Sequence, residues 1–366
     1  MWRYFAALAV VLLSFKSFPA FAQNENLSAS LSRTRGNSFT PDIGVNALLL
    51  YQNSNRGNES YAADRNGATM QEAEIQFASD VDPYWRFVSL FSLHQEVNVD
   101  LTTTPPTRTA EYVFEPEELY AESLDLPSVT LRVGKFKAAF GKHNGLHTHA
   151  FAFIDAPLAN QVLLGNEGLN DVGISAATLL PVSWFSEVTV QAFSGQGEGL
   201  DYFHGSSAND FVPLLHLKNL WDLTDDFTFE FGASGATGGN SASKKTNLYG
   251  TDLTFKWRGS RSRALIWSTE YIGRERNEAT DERAKGVASW VQYQFAQRWW
   301  AQVRGEYLEV NADFQRKQSV LVGFVPSEFS AIRLQYDRLN DGAADPEQKL
   351  MLQLNYSIGA HPAHAY

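Results

Sequence analysis

The chain contains no cysteine. Disulfides therefore contribute nothing to its stability, although an exported chain is free to use them. Basic residues are in short supply, with 30 Lys and Arg against 41 Asp and Glu and a formal net charge of −11. That balance argues against a nucleic-acid partner. Long apolar runs are missing beyond the N-terminus, and the one from Phe5 to Phe15 is too short to span a membrane as a helix, which needs ~20 residues. No Gly-x-Ser-x-Gly elbow marks a serine nucleophile, and nothing else in the chain points to an enzyme.

What is present begins with an export signal. Arg3 precedes the apolar run, and Ala20-Phe21-Ala22 follows it with small residues at the first and third positions. Residues 1–22 are expected to be a signal peptide cleaved before Gln23. Its removal takes Arg3 and Lys16 with it and leaves a net charge of −13. Residues 23–41 are polar and without period, and are expected to be a periplasmic lead-in. They are too few for the plug domain of an energised receptor, so passive diffusion is the expected mode of any transport.

The rest alternates. In the last strand, Leu350, Leu352, Leu354, Tyr356 and Ile358 fall on one face, and Met351, Gln353, Asn355 and Ser357 on the other. Strict period-two alternation is the mark of a strand with one apolar and one polar face. Sixteen such strands are expected between residues 42 and 358, among them 128–141, 298–309 and 318–325. Short links such as Asp80-Val81-Asp82-Pro83 and Asp125-Leu126-Pro127 alternate with long ones to the C-terminus. Together these features predict an all-β, antiparallel up-and-down transmembrane barrel over 42–366, porin-like, with both termini periplasmic. The 13 % aromatic content would supply girdles at the two membrane interfaces.

Parity assigns the lumen. Glu72, Glu74, Arg86, Glu118, Glu122, Arg132, Asp252, Glu270, Arg304, Glu306 and Arg333 are expected to line it, because Arg or Lys facing mid-bilayer lipid costs ~2–4 kcal/mol. Sixteen strands leave room for an aqueous channel. The acidic excess predicts a mild preference for cations.

Residues 142–169 form the longest connection, the third of the outer loops, and carry His143, His147, His149 and Asp155. Three imidazoles and a carboxylate are suitable donors for Zn²⁺ or Cu²⁺. His147 and His149 share a face if the segment is extended. A solvated or backbone-bonded role for the same histidines stands beside that reading. His361 and His364, after the last strand, form a second candidate metal pair if they lie in a turn.

Several stretches carry a family likeness: Gly67-Ala68-Thr69-Met70-Gln71-Glu72-Ala73-Glu74, Asp82-Pro83-Tyr84-Trp85-Arg86, Glu117-Glu118-Leu119-Tyr120, the run Arg132 to Asn144, His147-Thr148-His149 and Gly359 to His364. The chain resembles proteobacterial zinc-regulated outer-membrane receptors or porins and, more distantly, the phosphate-selective porins O and P. The resemblance implies a porin-type barrel in the outer membrane, a homotrimer, and a terminal Tyr366 read by the barrel-assembly machinery. It adds zinc as a metal to be considered; no other cofactor is called for. The mixed charges of the inferred lumen do not match phosphate selectivity. The expected function is a passive outer-membrane channel for small hydrophilic solutes or ions. A metal-binding receptor and a structural barrel without an open pore stand as alternatives.

Overall fold

The computed structural model describes residues 41–56, 66–100, 107–197, 202–204, 210–259, 262–277 and 281–359. His361, His364 and Tyr366, like the expected signal peptide and lead-in up to residue 40, lie outside them. Sixteen strands account for most of the chain: β1 (Asp42–Ser54), β2 (Gly67–Asp80), β3 (Trp85–Asp100), β4 (Thr107–Ser123), β5 (Val129–Lys137), β6 (Asn170–Leu179), β7 (Phe185–Phe193) and β8 (Val212–Thr224). The second half gives β9 (Phe227–Gly239), β10 (Lys245–Arg258), β11 (Ala264–Arg276), β12 (Glu282–Ala296), β13 (Trp299–Val310), β14 (Asp313–Ser327), β15 (Ser330–Asn340) and β16 (Glu347–Gly359). Each pairs antiparallel with its sequence neighbours, and β1 pairs with β16 to close the barrel. Closure leaves no sheet edge unpaired.

The facing follows the alternation. On β16, Leu350 and Ile358 are 47 % and 69 % exposed on the outside, while Gln353 and Asn355 on the inside are at most 1 % exposed. An outward apolar belt of this kind is stable against hydrocarbon. Near the short-turn end, Trp184, Trp221, Phe229, Phe255 and Trp267 stack in sequence around the outer wall, with ring centroids 4.6–6.0 Å apart.

Two expectations need correction. The third connection begins at residue 138, because β5 ends at Lys137 and the chain turns inward there. The alternation of long and short links also weakens toward the C-terminus. Residues 310–317 do not form a long link; β13 and β14 run on to a two-residue turn at Asn311-Ala312, with Asn311 at φ 57°. Asn tolerates that left-handed conformation and suits a tight hairpin.

The seam between the first and last strands is fastened at the long-loop end. Arg56 makes a bidentate pair with Asp341, at 2.6 and 2.8 Å, and Ser54 Oγ donates to Glu347 at 2.8 Å. The Arg56 hydrogen bonds hold the Asp341 carboxyl down at about 2. A depressed carboxyl contributes stability above its unfolded value of ~3.9 and loses it as pH falls through the folded value. Asp341→Asn should therefore be less stable than the parent above about pH 4, and the difference should vanish as pH falls toward 2. Heat-modifiability on gels, followed against pH, reads this directly.

Candidate functional site

The interior is not an empty tube. The third connection, residues 138–169, folds into the barrel and is tied to the wall on several sides. Asn144 closes its neck. The Asn144 amide donates to the carbonyls of Ala138 and Leu169 at 2.9 and 3.0 Å, and its oxygen accepts from Leu169 N–H at 2.7 Å. Gly141 makes the entry turn at φ 61°, where a Cβ would stand 2.1 Å from Glu270 Oε1. Only glycine combines that conformation with that approach.

Apolar side chains then fill the space. Phe136, Phe140, Leu163 and Leu164 pack with Phe193, Phe203, Leu248 and Ile272, all nearly inaccessible. A second cluster joins Phe153 and Ile154 to Trp300, Leu321 and Met351. Each fully buried side chain of this size contributes about 1.5–3 kcal/mol. Helix α1 (Leu158–Leu164) lies against β11, β12 and β13. Arg274 caps its C-terminal end by donating to the carbonyls of Val162 and Leu163.

One side of the loop meets positive charge. Asp155 pairs with Arg304 at 2.8 Å and with Lys317, and accepts from Gln335 at 2.7 Å. Arg304 also reaches Glu306 at 2.8 Å and lies over the Phe153 ring. Arg333 donates to Phe151 O and to Gln353. A third set of ties runs to β9 and β11, through Lys142–Glu230 at 2.5 Å and His143 N–H to Glu270 at 3.0 Å. Asp252 is buried beside Gly232 on the same stretch of wall.

Another side, toward β2 and β4, meets carboxylates. His147 sits between Glu117 Oε2, 2.7 Å from Nδ1, and Glu118 Oε2, 3.1 Å from Nε2. His149 Nδ1 lies 2.7 Å from Glu74 Oε2, and Thr148 donates to Glu72 at 2.7 Å. A 3₁₀ turn, Thr148–Ala150, sets the two imidazoles parallel, 3° apart in tilt and 6.1 Å between centroids. Burial opposes charging of His147, but Glu74, Glu117 and Glu118 outweigh it and hold its pKa well above the usual value. Burial, aided by the charge on His147, pushes His149 down to about 3. His143 falls to about 3 chiefly through burial, with Arg304 contributing.

Both carboxylates reach His147 because β4 is irregular. Leu90 pairs with Glu118 and Phe91 with Pro116, so Glu117 is the extra residue of a β-bulge. A bulge breaks the alternation and re-aims a side chain. Strict parity sends Glu117 outward; the bulge sends it inward beside Glu118. Pro116 was the available signal, since proline inside a strand is confined to edges and bulges. A similar shift opposite Leu48 and Leu49 turns Gln71 as well as Glu72 inward, and Gln71 donates to Ile154 O.

The structure thus divides the expected site residues. Glu72, Glu74, Glu118, His147 and His149 converge. Glu270 and His143 meet elsewhere, and Asp155, Arg304, Glu306 and Arg333 form the basic side. Arg132 pairs with Glu122 at 2.7 Å and lies over Tyr120; Arg86 pairs with Asp80 toward the short-turn end. Among the described residues, two trios could hold a metal ion: Glu72, Glu74 and His149, and Glu74, Glu117 and His147. His143 and Asp155 belong to neither, which corrects their placement with the other two histidines.

No family model matches the chain. An uncharacterized protein of Aquifex aeolicus (strain VF5) is 27 % identical over 349 residues, covering 83 % of this chain and 71 % of that protein. The fold is shared with outer-membrane porins. OmpT of Vibrio cholerae lacking loop L8 aligns over 88 % of this chain and 100 % of its own, with a TM-score of 0.55 and 9 % identity. DcaP, an outer-membrane channel of Acinetobacter baumannii, aligns over 87 % and 96 % at 0.55 with 12 % identity. An anion-selective porin from Comamonas acidovorans aligns over 87 % and 98 % at 0.55 with 8 % identity.

Proposed function

We propose that this protein is an outer-membrane channel through which small hydrophilic solutes or ions diffuse passively, with the third connection as its constriction. The observation that carries this reading is a closed sixteen-strand barrel whose inward loop meets an acidic stretch of wall on β2 and β4 and a basic stretch on β13–β15. The apolar outer belt and the stacked aromatics suit a bilayer. In that setting the short-turn end, where the described chain begins and ends, faces the periplasm. A trimer form is known for OmpT of Vibrio cholerae, and a homotrimer is proposed here by analogy. Barrel-assembly machinery and outer-membrane lipid are the remaining partners of this reading.

Charge decides the expected selectivity. Arg304, Lys317 and Arg132 are matched by carboxylates at 3.3 Å or closer. With 41 Asp and Glu against 30 Lys and Arg over the chain, cations should pass more readily. Reversal potentials of the purified protein in a salt gradient test this: cation preference is expected, and clear anion selectivity would refute it.

A second reading is favoured by one observation, the convergence of two imidazoles with four glutamates. It adds a divalent metal, zinc by the family likeness, as a ligand of the channel.

A further inference from the structure

The acidic side of the loop is built differently from the rest of the lumen. Elsewhere the loop's charges meet partners of opposite sign, as Asp155 meets Arg304 and Lys317. Here four glutamates from two strands, Glu72, Glu74, Glu117 and Glu118, surround two imidazoles. Lys137 is the nearby lysine that acts on this group. All four carboxylates are at most 9 % exposed. With its four carboxylates ionised, the cluster carries an excess of negative charge even when His147 is protonated. Buried charge of one sign is costly unless it is neutralised.

The donor atoms are already close to coordination spacing. Around His147 Nδ1, Glu117 Oε2 stands at 2.7 Å and Glu74 Oε1 at 3.9 Å. Ligands of a tetrahedral ion bound at ~2.0–2.1 Å lie roughly 3.3 Å apart. Glu74 faces both ways, with Oε1 toward His147 and Oε2 toward His149, and it is common to both trios. Glu72 Oε1 and Glu74 Oε1 are buried and find no hydrogen-bond donor outside the Glu72–Glu74 pair itself. Carboxylate oxygens placed in this way, beside two imidazoles, are suitable donors to a cation. Glu118 accepts at the far nitrogen of His147, and a carboxylate there orients a metal-bound imidazole and raises its basicity.

We propose that this cluster is a binding site for a divalent transition-metal ion of the zinc class, with Glu74 as the shared ligand. His149 and Glu72 complete one trio around it, His147 and Glu117 the other. Mixed imidazole and carboxylate donors suit zinc, whereas all-oxygen sites suit calcium or magnesium. The ion would join the third connection to β2 and β4 by coordinate bonds and fasten the loop to that stretch of wall. The inference rests on the metal part of the reading above and is independent of solute passage.

The test uses the full-length folded protein in detergent, stripped with a chelator. Titration with Zn²⁺ should give saturable binding of at least one ion per chain, and Co²⁺ should give visible absorption bands of an imidazole–carboxylate site. Glu74→Gln, nearly isosteric, should abolish both signals while the heat-modifiable folded band persists. His147→Ala with His149→Ala should do the same. His216→Ala, at a lumen histidine bonded to Ser234, should leave them intact. Absence of saturable binding in the folded parent would overturn the proposal. So would binding that survives both Glu74→Gln and the double histidine variant. Because binding is read without a membrane, its failure leaves the channel reading standing, and a silent channel leaves the metal site standing.

Discussion

Asp155→Ala will release the tip of the third connection from the basic wall. In the parent, the Asp155 carboxylate is shared by Arg304, Lys317 and Gln335. The Arg304 and Lys317 side chains are buried, at 1 % and 5 % exposed. Removing one partner of a buried pair strands the other charge and costs about 3–5 kcal/mol. Glu306 and Asp337 remain to hold part of that charge, which places the effect at the lower end. The barrel wall keeps all its strand pairing, so the loss falls on docking and not on the sheet. Limited proteolysis should show new cleavage within residues 142–165, with the folded band on gels retained. Unchanged protease resistance would show that Asp155 is not the anchor.

Phe140→Ala should have a comparable effect through packing. Phe140 is fully buried among the loop and wall side chains and lies beside Gly250, where an added Cβ would stand 3.2 Å from its ring. The backbone around it is held: Gly141 N–H donates to Ser234, and the Asn144 clasp closes the neck. The site is thus poorly able to collapse. Truncating a buried phenylalanine costs about 3–5 kcal/mol, the lost transfer energy plus the cavity. Denaturant melts followed by tryptophan fluorescence should show an early transition for the loop, separated from unfolding of the barrel. A loss below about 1 kcal/mol would mean that the lumen repacks around the gap.

Period-two alternation carries most of the fold in the sequence. The last strand reads out its own orientation, and the same pattern around the chain yields sixteen strands and a closed barrel. The failures have physical causes. Alternation cannot register a bulge, so Glu117 is read as outward although it makes the shorter contact with His147. The inward turn at residue 138 depends on Gly141 fitting against Glu270, a residue far along the chain. The docking of the loop did leave a trace. Leu214, Leu248, Ile272 and Leu308 occupy inward positions where a water-filled lumen calls for polar side chains, and all four belong to the cluster that receives the loop. Spacing alone places three histidines together; only the folded loop separates His143 from His147 and His149.

Single-channel conductance in a planar bilayer, comparing the parent with Asp155→Ala, tests the central claim most directly. Open channels in the parent, with larger conductance steps once the loop tip is released, are the expected result. Silence in both proteins would contradict the account of a channel. Equal conductance in both, with the loop shown by proteolysis to be free, would contradict its account of the constriction.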